Sequence, residues 1–266
     1  MSSACRNALL FAALLCFMGL AQPRELRVCA DPDNLPLSDA NGNGFENRIA
    51  RLVAEEMGAE LRYEWLPLRR GFVRKTIDAG LCEVFIGVPN EFERVLVTRP
   101  YYRSSYVFVD GPRAHGIDGF DDRRLASLTI GVQLVGNDLA ATPPGHALAA
   151  TRNVENVRGF TIYGEGPAAQ RMVAAVASGE IDAALVWGPQ AGYFARRAAL
   201  EVRAARPPYV VTGMTFEFDI AMGVRRGDHA LRDELDAIIE RRRADIDAIL
   251  AAYSVPRSDR AGREKQ

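Results

Sequence analysis

Short apolar runs alternate with helically spaced apolar residues along most of the chain. The first run, 26–30, predicts a strand, and a polar segment rich in Asp, Asn, Pro and Gly follows it as far as Gly44. A helix is predicted next, because apolar residues recur every three or four positions up to Met57 and Gly58 follows as a stop signal. A second strand is predicted over 61–65.

The same alternation continues to Val224. Further strands are predicted over 84–87, 105–109, 128–132, 160–163, 183–186, 200–204 and 216–224, with helices over 72–79, 168–178 and 189–197. An apolar stripe from Leu231 to Tyr253 then predicts one long helix that ends before Pro256. The basic run 241–243 falls outside this stripe and is interpreted as a solvated face.

Alternating strands and helices favour parallel pairing with right-handed crossovers. We therefore predict an α/β protein with two lobes, each a mainly parallel sheet flanked by helices, and a cleft between them. The first lobe takes residues 22–110 and the returning segment 214–256, and the second takes 111–213. Residues 257–266 are expected to form a disordered tail.

Residues 1–21 are predicted to be a signal peptide. Segment 8–21 is apolar and uncharged, but its fourteen residues fall short of the roughly 20 that span a bilayer. Cleavage is expected after Ala21, which directs the mature chain to the periplasm. Cys29 and Cys82 would be the cysteines left in that oxidising compartment, either as a disulfide or as two buried thiols.

The amino-acid composition argues against several classes of function. The 266 residues include 33 basic and 34 acidic side chains, so the charge excess that nucleic-acid binding needs is missing. Lys75 and Lys265 are the only lysines, which nearly excludes Schiff-base chemistry, and the three histidines stand far apart. No catalytic residue, metal site or cofactor is predicted.

Ligands of open α/β sheets bind beyond the carboxyl ends of the strands. This rule selects the loops 31–36, 88–94, 133–138 and 187–190, although the segment 31–34 is equally well explained as a simple turn. The candidate residues for a ligand or partner cleft are Asp33, Asn34, Glu91, Arg94, Tyr101, Tyr102, Gln133, Asn137 and Trp187.

Several longer segments carry a specific resemblance. They are 27–36, 44–47, 87–89, 98–109, 156–164, 179–189, 191–195 and 218–224. Together they resemble the MxaJ/XoxJ family of periplasmic accessory proteins of PQQ-dependent methanol dehydrogenase systems, within the type II periplasmic solute-binding proteins. Segments 165–167 and 90–92 depart from the family pattern near the cleft, which puts the ligand or partner in doubt.

The resemblance implies a type II periplasmic-binding-protein fold and a non-enzymatic role. The chain would bind a PQQ-dependent methanol or alcohol dehydrogenase and help it mature or become active, with a c-type cytochrome of the same system as a further partner. It would bind no nucleic acid and would not insert into a membrane after signal cleavage. The alternative is a receptor for an ABC importer of a small solute, and an enzyme that uses Glu91 or Asp33 as acid or base ranks last.

The cleft chemistry separates these hypotheses. A receptor for amino acids needs an arginine for the carboxylate, which Arg94 could supply, and an acid for the ammonium. Similar transporters usually place an aspartate where this chain has Trp187, followed by Gly188 and Pro189. Trp187 either lines an aromatic cleft with Tyr101 and Tyr102, suited to an apolar molecule or a peptide segment, or belongs to the core between the lobes.

Overall fold

The computed structural model describes residues 24–258, except 118, 136–139, 152–154, 163 and 211–212. The predicted leader, most of the predicted tail and Asn137 lie outside the described residues. Within the described ranges, no helix is long and apolar enough to cross a membrane.

The described strands fall mainly into one large mixed sheet. They are β1 (Glu25–Ala30), β2 (Asp33–Asn34), β3 (Ser38–Asp39), β4 (Glu60–Trp65), β5 (Val84–Pro89), β6 (Leu96–Val97), β7 (Tyr102–Asp110), β8 (Ile130–Val135), β9 (Ala140–Ala141), β10 (Val157–Thr161), β11 (Ala183–Trp187), β12 (Glu201–Ala204) and β13 (Glu217–Val224). The helices are α1 (Phe45–Met57), α2 (Phe72–Lys75), α3 (Pro143–Ala150), α4 (Ala168–Ala177), α5 (Gly188–Arg197), α6 (His229–Arg241) and α7 (Arg243–Ala252).

The main path of the sheet runs β10-β8-β11-β7-β13-β5-β1-β4. Strand β1 pairs in parallel with β4 and β5 in the first half, and β8 pairs in parallel with β10 and β11 in the second half. The two halves meet at β7, which is antiparallel to both of its neighbours on this path. The α/β class is confirmed as one mixed sheet flanked by helices. The expectation of mainly parallel sheets is wrong, because β6, β7, β9, β12 and β13 pair antiparallel with their neighbours, and the residue bounds of the two lobes stay a prediction.

Strand β7 pairs with strands of both halves through two consecutive segments. Its first part, 102–105, pairs with β13, and its second part, 106–110, pairs with β11. Val107 and Val109 point into one apolar core, and Phe108 points into another on the opposite face. Helices therefore cover both faces of the second half, which agrees with the continuous apolar run 106–109 in this part of the strand.

The prediction for α1 is confirmed to the residue at its end. Its repeating apolar residues pack into the core of the first half, where Phe45 and Ile49 are completely buried. Gly58 adopts the left-handed conformation at φ 61° and its N–H donates to the carbonyls of Ala54 and Glu55. A residue with a Cβ is strained at this φ, so glycine is the natural stop.

The prediction of a single long C-terminal helix is wrong. Arg242 leaves helical geometry and separates α6 from α7. Its guanidinium donates to Glu56 of α1 at 2.7 Å and to Asp245 at 2.6 Å, and Arg243 donates to the carbonyl of Tyr101. Arg241 also pairs with Glu56 at 3.7 Å, so all three members of the basic run have partners on the protein, while Arg241 and Arg243 are exposed as predicted.

Two other predicted elements differ locally. Helix α2 stops at Lys75 instead of reaching 79, because Thr76 turns away and its hydroxyl donates to the Phe72 carbonyl. The polar segment after β1 contains the unpredicted hairpin of β2 and β3. After β8 the chain returns as β9, and the next described helix begins at Pro143.

Candidate functional site

Two neighbouring cavities open beside the β2–β3 hairpin. The first, named the cleft cavity, has a volume of about 600 Å³ and lies between the hairpin and loops of the second half. The second, named the Glu46 cavity, has a volume of about 920 Å³ and is enclosed by elements of the first half alone. Asp31, Asn34 and the loop 68–70 contribute to both cavities.

Three predicted site residues meet at the cleft cavity. Asp33 and Asn34 come from the hairpin after β1, and Gln133 comes from β8. Gln190, in the first turn of α5, donates from Nε2 to Asn34 Oδ1 at 3.1 Å and so joins the two halves across the cavity. These residues were selected from the sequence by the rule that ligands bind beyond the carboxyl ends of strands, and the structure places them on one cavity. Their role in binding stays a prediction.

Asp31 organises the boundary between the two cavities. Its Oδ1 accepts the Asp33 N–H at 2.9 Å, and its Oδ2 accepts the Leu68 N–H at 2.6 Å. Ser38 donates its hydroxyl to the Asp31 carbonyl at 2.8 Å. One carboxylate therefore holds the hairpin against the loop after β4. Sequence reasoning placed Asp31 in a ligand loop but did not select it as a site residue.

Arg94 and Glu91 occupy different environments. Arg94 lines the Glu46 cavity and pairs with Asp78 at 3.2 Å. Both side chains of this pair are largely exposed, so the pair contributes about 1 kcal/mol or less and leaves the guanidinium available to a ligand. Glu91 is exposed and lines neither of the two cavities.

Tyr101 and Tyr102 lie in the core of the first half instead of lining a cleft. They are 2% and 7% exposed, and Tyr101 donates its hydroxyl to the Ile86 carbonyl at 2.9 Å. The Tyr102 ring packs edge to face on Phe45. Burial raises the pKa of both hydroxyls well above the usual value, so both remain protonated.

Trp187 belongs to an aromatic cluster at the junction of the two halves. Its ring packs edge to face on Tyr106 and Phe218, with ring centres 5.4 and 5.8 Å away. Trp187 is partly buried and lines neither cavity. Of the two sequence interpretations, this placement favours the core between the lobes over a cleft wall.

Glu46 is a site residue that sequence reasoning missed. It stands in the first turn of α1 and its carboxylate faces the Glu46 cavity, close against Gly87 of β5. A Cβ added to Gly87 would overlap Glu46 Oε1, so the glycine makes room for the acid. Burial, and secondarily the charge of Asp31, raise the pKa of Glu46 from 4.5 to about 8.

Cys29 and Cys82 form a disulfide, which confirms the first of the two alternatives for this pair. The bond joins β1 to the segment just before β5, with Cα atoms 5.5 Å apart. Cys29 also lines the Glu46 cavity, and both cysteines are buried with Phe72 and Phe85. The disulfide therefore braces the wall of this cavity.

One side-chain group in the described part of the chain has positions suited to a metal ion, namely Asp110, His115 and Glu201. Arg203 already lies within it, because its Nε donates to Asp110 at 3.0 Å and its Nη2 donates to Glu201 at 2.8 Å. A cation would have to displace this guanidinium. The arrangement therefore functions as an ion-pair cluster.

The sequence matches a known family over most of its length. Residues 26–255 match the family described as bacterial extracellular solute-binding proteins, family 3. Protein MoxJ of Methylorubrum extorquens is 33% identical over 249 residues, which cover 87% of this chain and 81% of MoxJ.

Solved structures agree with this match. The periplasmic binding protein XoxJ from Methylobacterium extorquens AM1 superposes with a TM-score of 0.72 at 34% identity, covering 88% of this chain and 99% of XoxJ. MxaJ from Methlophaga aminisulfidivorans MPT superposes with a TM-score of 0.77 at 25% identity, covering 88% of this chain and 100% of MxaJ. The similarity thus extends across both halves of the sheet.

Proposed function

Because the chain belongs to family 3 of the bacterial extracellular solute-binding proteins, and within it to the group of MoxJ, XoxJ and MxaJ, we propose a non-enzymatic accessory role. The protein binds a PQQ-dependent methanol or alcohol dehydrogenase in the periplasm and helps it mature or become active. A c-type cytochrome of the same system is a further partner.

The observation that carries this proposal is the similarity to MoxJ and XoxJ over nearly the whole chain, combined with the chemistry at the start of α5. Trp187 and Pro189 occupy the place where an amino-acid receptor would put its acid. Trp187 is committed to packing against Tyr106 and Phe218, so this position offers no charge to a ligand ammonium.

Gene deletion tests the accessory role most directly. We expect a strain that lacks this chain to make normal amounts of dehydrogenase polypeptide under growth on methanol but to lose most of its holo-dehydrogenase activity. Expression of the wild-type chain from a plasmid should restore the activity. Unchanged holo-dehydrogenase activity in the deletion strain would contradict the proposal.

Physical association requires a separate experiment. A tagged chain that includes residues 1–21 should co-purify with the dehydrogenase from periplasmic extract. The matched control is the same tagged chain without residues 1–21, which remains in the cytoplasm and should recover none. Equal recovery with both chains would indicate association after lysis and would count against a periplasmic complex.

A second candidate function, a receptor for an ABC importer, is favoured by one observation. The first half lines a cavity of about 920 Å³ that includes Glu46, to whose carboxylate no described residue donates a hydrogen bond, and a cavity of this size suits a small solute better than a large protein surface. In that case a transport defect for the solute would accompany gene deletion, and dehydrogenase activity would be unaffected.

A further inference from the structure

Four arginines lie on a surface outside the two cavities. Arg48 and Arg51 belong to α1 of the first half, and Arg196 and Arg197 belong to the last turn of α5 in the second half. All four are exposed, and none of them forms an ion pair with a described residue. Arg24, by contrast, pairs with a carboxylate of α6 at 2.6 Å. The four guanidinium groups are therefore free to meet the carboxylates of another molecule.

Two stacked tyrosine rings connect the arginines of the two halves. Tyr253, which follows α7, stacks on Tyr193 of α5 with ring centres 5.6 Å apart and 17° between the ring planes. The Arg48 guanidinium lies over the Tyr253 ring at 5.3 Å, and the Arg197 guanidinium lies over the Tyr193 ring at 3.4 Å. We refer to the connected side chains as the arginine band: Arg48, Arg51, Arg196, Arg197, Tyr193 and Tyr253.

The segment after α7 holds the band together across the two halves. Ser254 adopts the left-handed conformation at φ 56°, and Arg196 of α5 donates from Nη1 to its Oγ at 3.0 Å. A Cβ added to Gly192 of α5 would overlap the Ser254 carbonyl, so the helix and the segment are in direct contact. The Pro256 carbonyl then accepts the Ser104 hydroxyl at 2.6 Å. The arginines of the two halves are thus positioned before any partner binds, which lowers the entropic cost of binding.

The chemistry of the band suits carboxylates. A guanidinium that stacks on an aromatic ring keeps the N–H groups of its edge, which match the two oxygens of a carboxylate. Arg197 uses only Nη1 internally, on the Tyr193 carbonyl at 2.9 Å. Beside the band, Arg48 and Arg51 line an open recess of about 450 Å³, where Glu55 of α1 is the one acid among the described lining residues. None of the residues that line this recess lines the cleft cavity or the Glu46 cavity.

We propose that the arginine band is a docking surface for an acidic segment of a partner protein, whose carboxylates bind the exposed guanidinium edges. The band extends over both halves and is open to solvent, so a small anion would contact only part of it, whereas a protein segment can contact it throughout. The inference rests on the accessory role proposed above, with the dehydrogenase as the partner. It places the contact on the surface of α1 and α5 and outside both cavities.

Isothermal titration of the purified dehydrogenase with the purified chain, at about 50 and about 300 mM NaCl, tests this surface. The band variant carries Arg48→Glu and Arg197→Glu. The matched control carries Arg123→Glu and Arg225→Glu, which change the net charge equally at exposed arginines outside the band. Wild type and the control should bind with affinities within about twofold of each other, and the band variant should bind at least about tenfold more weakly at low salt. The wild-type affinity should fall at least about tenfold at high salt.

Equal affinity of the band variant and wild type would overturn the docking surface and leave the accessory role standing. An equal loss in the band variant and the control would assign the effect to net charge and would also overturn the inference. A wild-type chain that fails to bind the dehydrogenase would overturn the accessory role and this surface together. Circular dichroism verifies that the variants are folded. Should the band variant fail to fold, Arg48→Gln with Arg197→Gln replaces it, against Arg123→Gln with Arg225→Gln, and the same outcomes apply.

Discussion

Glu46 should make the stability of this protein depend on pH in an unusual direction. Its pKa is about 8 in the folded chain and returns to about 4.5 on unfolding, so the folded state binds the extra proton between these values. The stabilising contribution is complete below about pH 4.5 and is lost as pH rises through about 8. Ordinary ion-paired carboxylates behave in the opposite way.

The size of the effect follows from the two pKa values. A difference of one pKa unit corresponds to about 1.4 kcal/mol, so the difference between 4.5 and about 8 corresponds to at most about 5 kcal/mol. Glu46→Gln removes the titration and keeps the shape of the side chain. The free energy of unfolding of wild type minus that of Glu46→Gln should therefore fall by up to about 5 kcal/mol across this range.

Urea denaturation at pH 5, 6, 7, 8 and 9, followed by the fluorescence of Trp65 and Trp187, measures the difference. Asp110, whose pKa is also raised by burial against the opposing effect of Arg203, contributes equally to both chains and cancels. Glu55→Gln should follow wild type at every pH. Parallel curves for wild type and Glu46→Gln would refute the argument that burial shifts this group.

Three further predictions concern stability and processing. Replacing Cys29 and Cys82 by alanine should lower the free energy of unfolding, measured in urea melts, by about 4 kcal/mol, because the disulfide closes a loop of 53 residues. Dithiothreitol should destabilise the wild-type chain and leave the stability of the variant unchanged. Gly192→Ala should cost about 1–3 kcal/mol, because its Cβ would overlap the Ser254 carbonyl, and an unchanged melting temperature would contradict this. N-terminal sequencing of the exported chain should begin at Gln22, as the predicted cleavage requires.

Local signals made part of the fold predictable. Helix α1 combines an apolar repeat with a glycine stop, and both act within the helix itself. The break at Arg242 has a different origin, because its partner Glu56 lies 186 residues earlier in the chain. Periodicity carries no information about such a contact, so the sequence predicts one helix where the protein has two.

The residues of the candidate site were likewise only partly predictable from the sequence. Asp33, Asn34 and Gln133 follow from a general rule about strand ends, and the structure places them on one cavity. Glu46 could not be found by that rule, because its environment depends on Gly87 of a different strand. Tyr102 was expected to line an aromatic cleft with Trp187 and Tyr101, whereas β7 begins at 102, three residues before its predicted start, and takes Tyr102 into the core.

The sharing of β7 between the two halves has a mechanical consequence. The chain passes between the halves near Tyr106 and again near Phe216, and these two passages are joined directly, since Tyr106 N–H donates to the Phe216 carbonyl at 2.8 Å. Two hydrogen-bonded segments resist sliding past each other but can bend together as one hinge. Opening of the cleft would then be confined to rotation about one axis through this hinge. Hydrogen exchange of the Tyr106 amide would report that rotation.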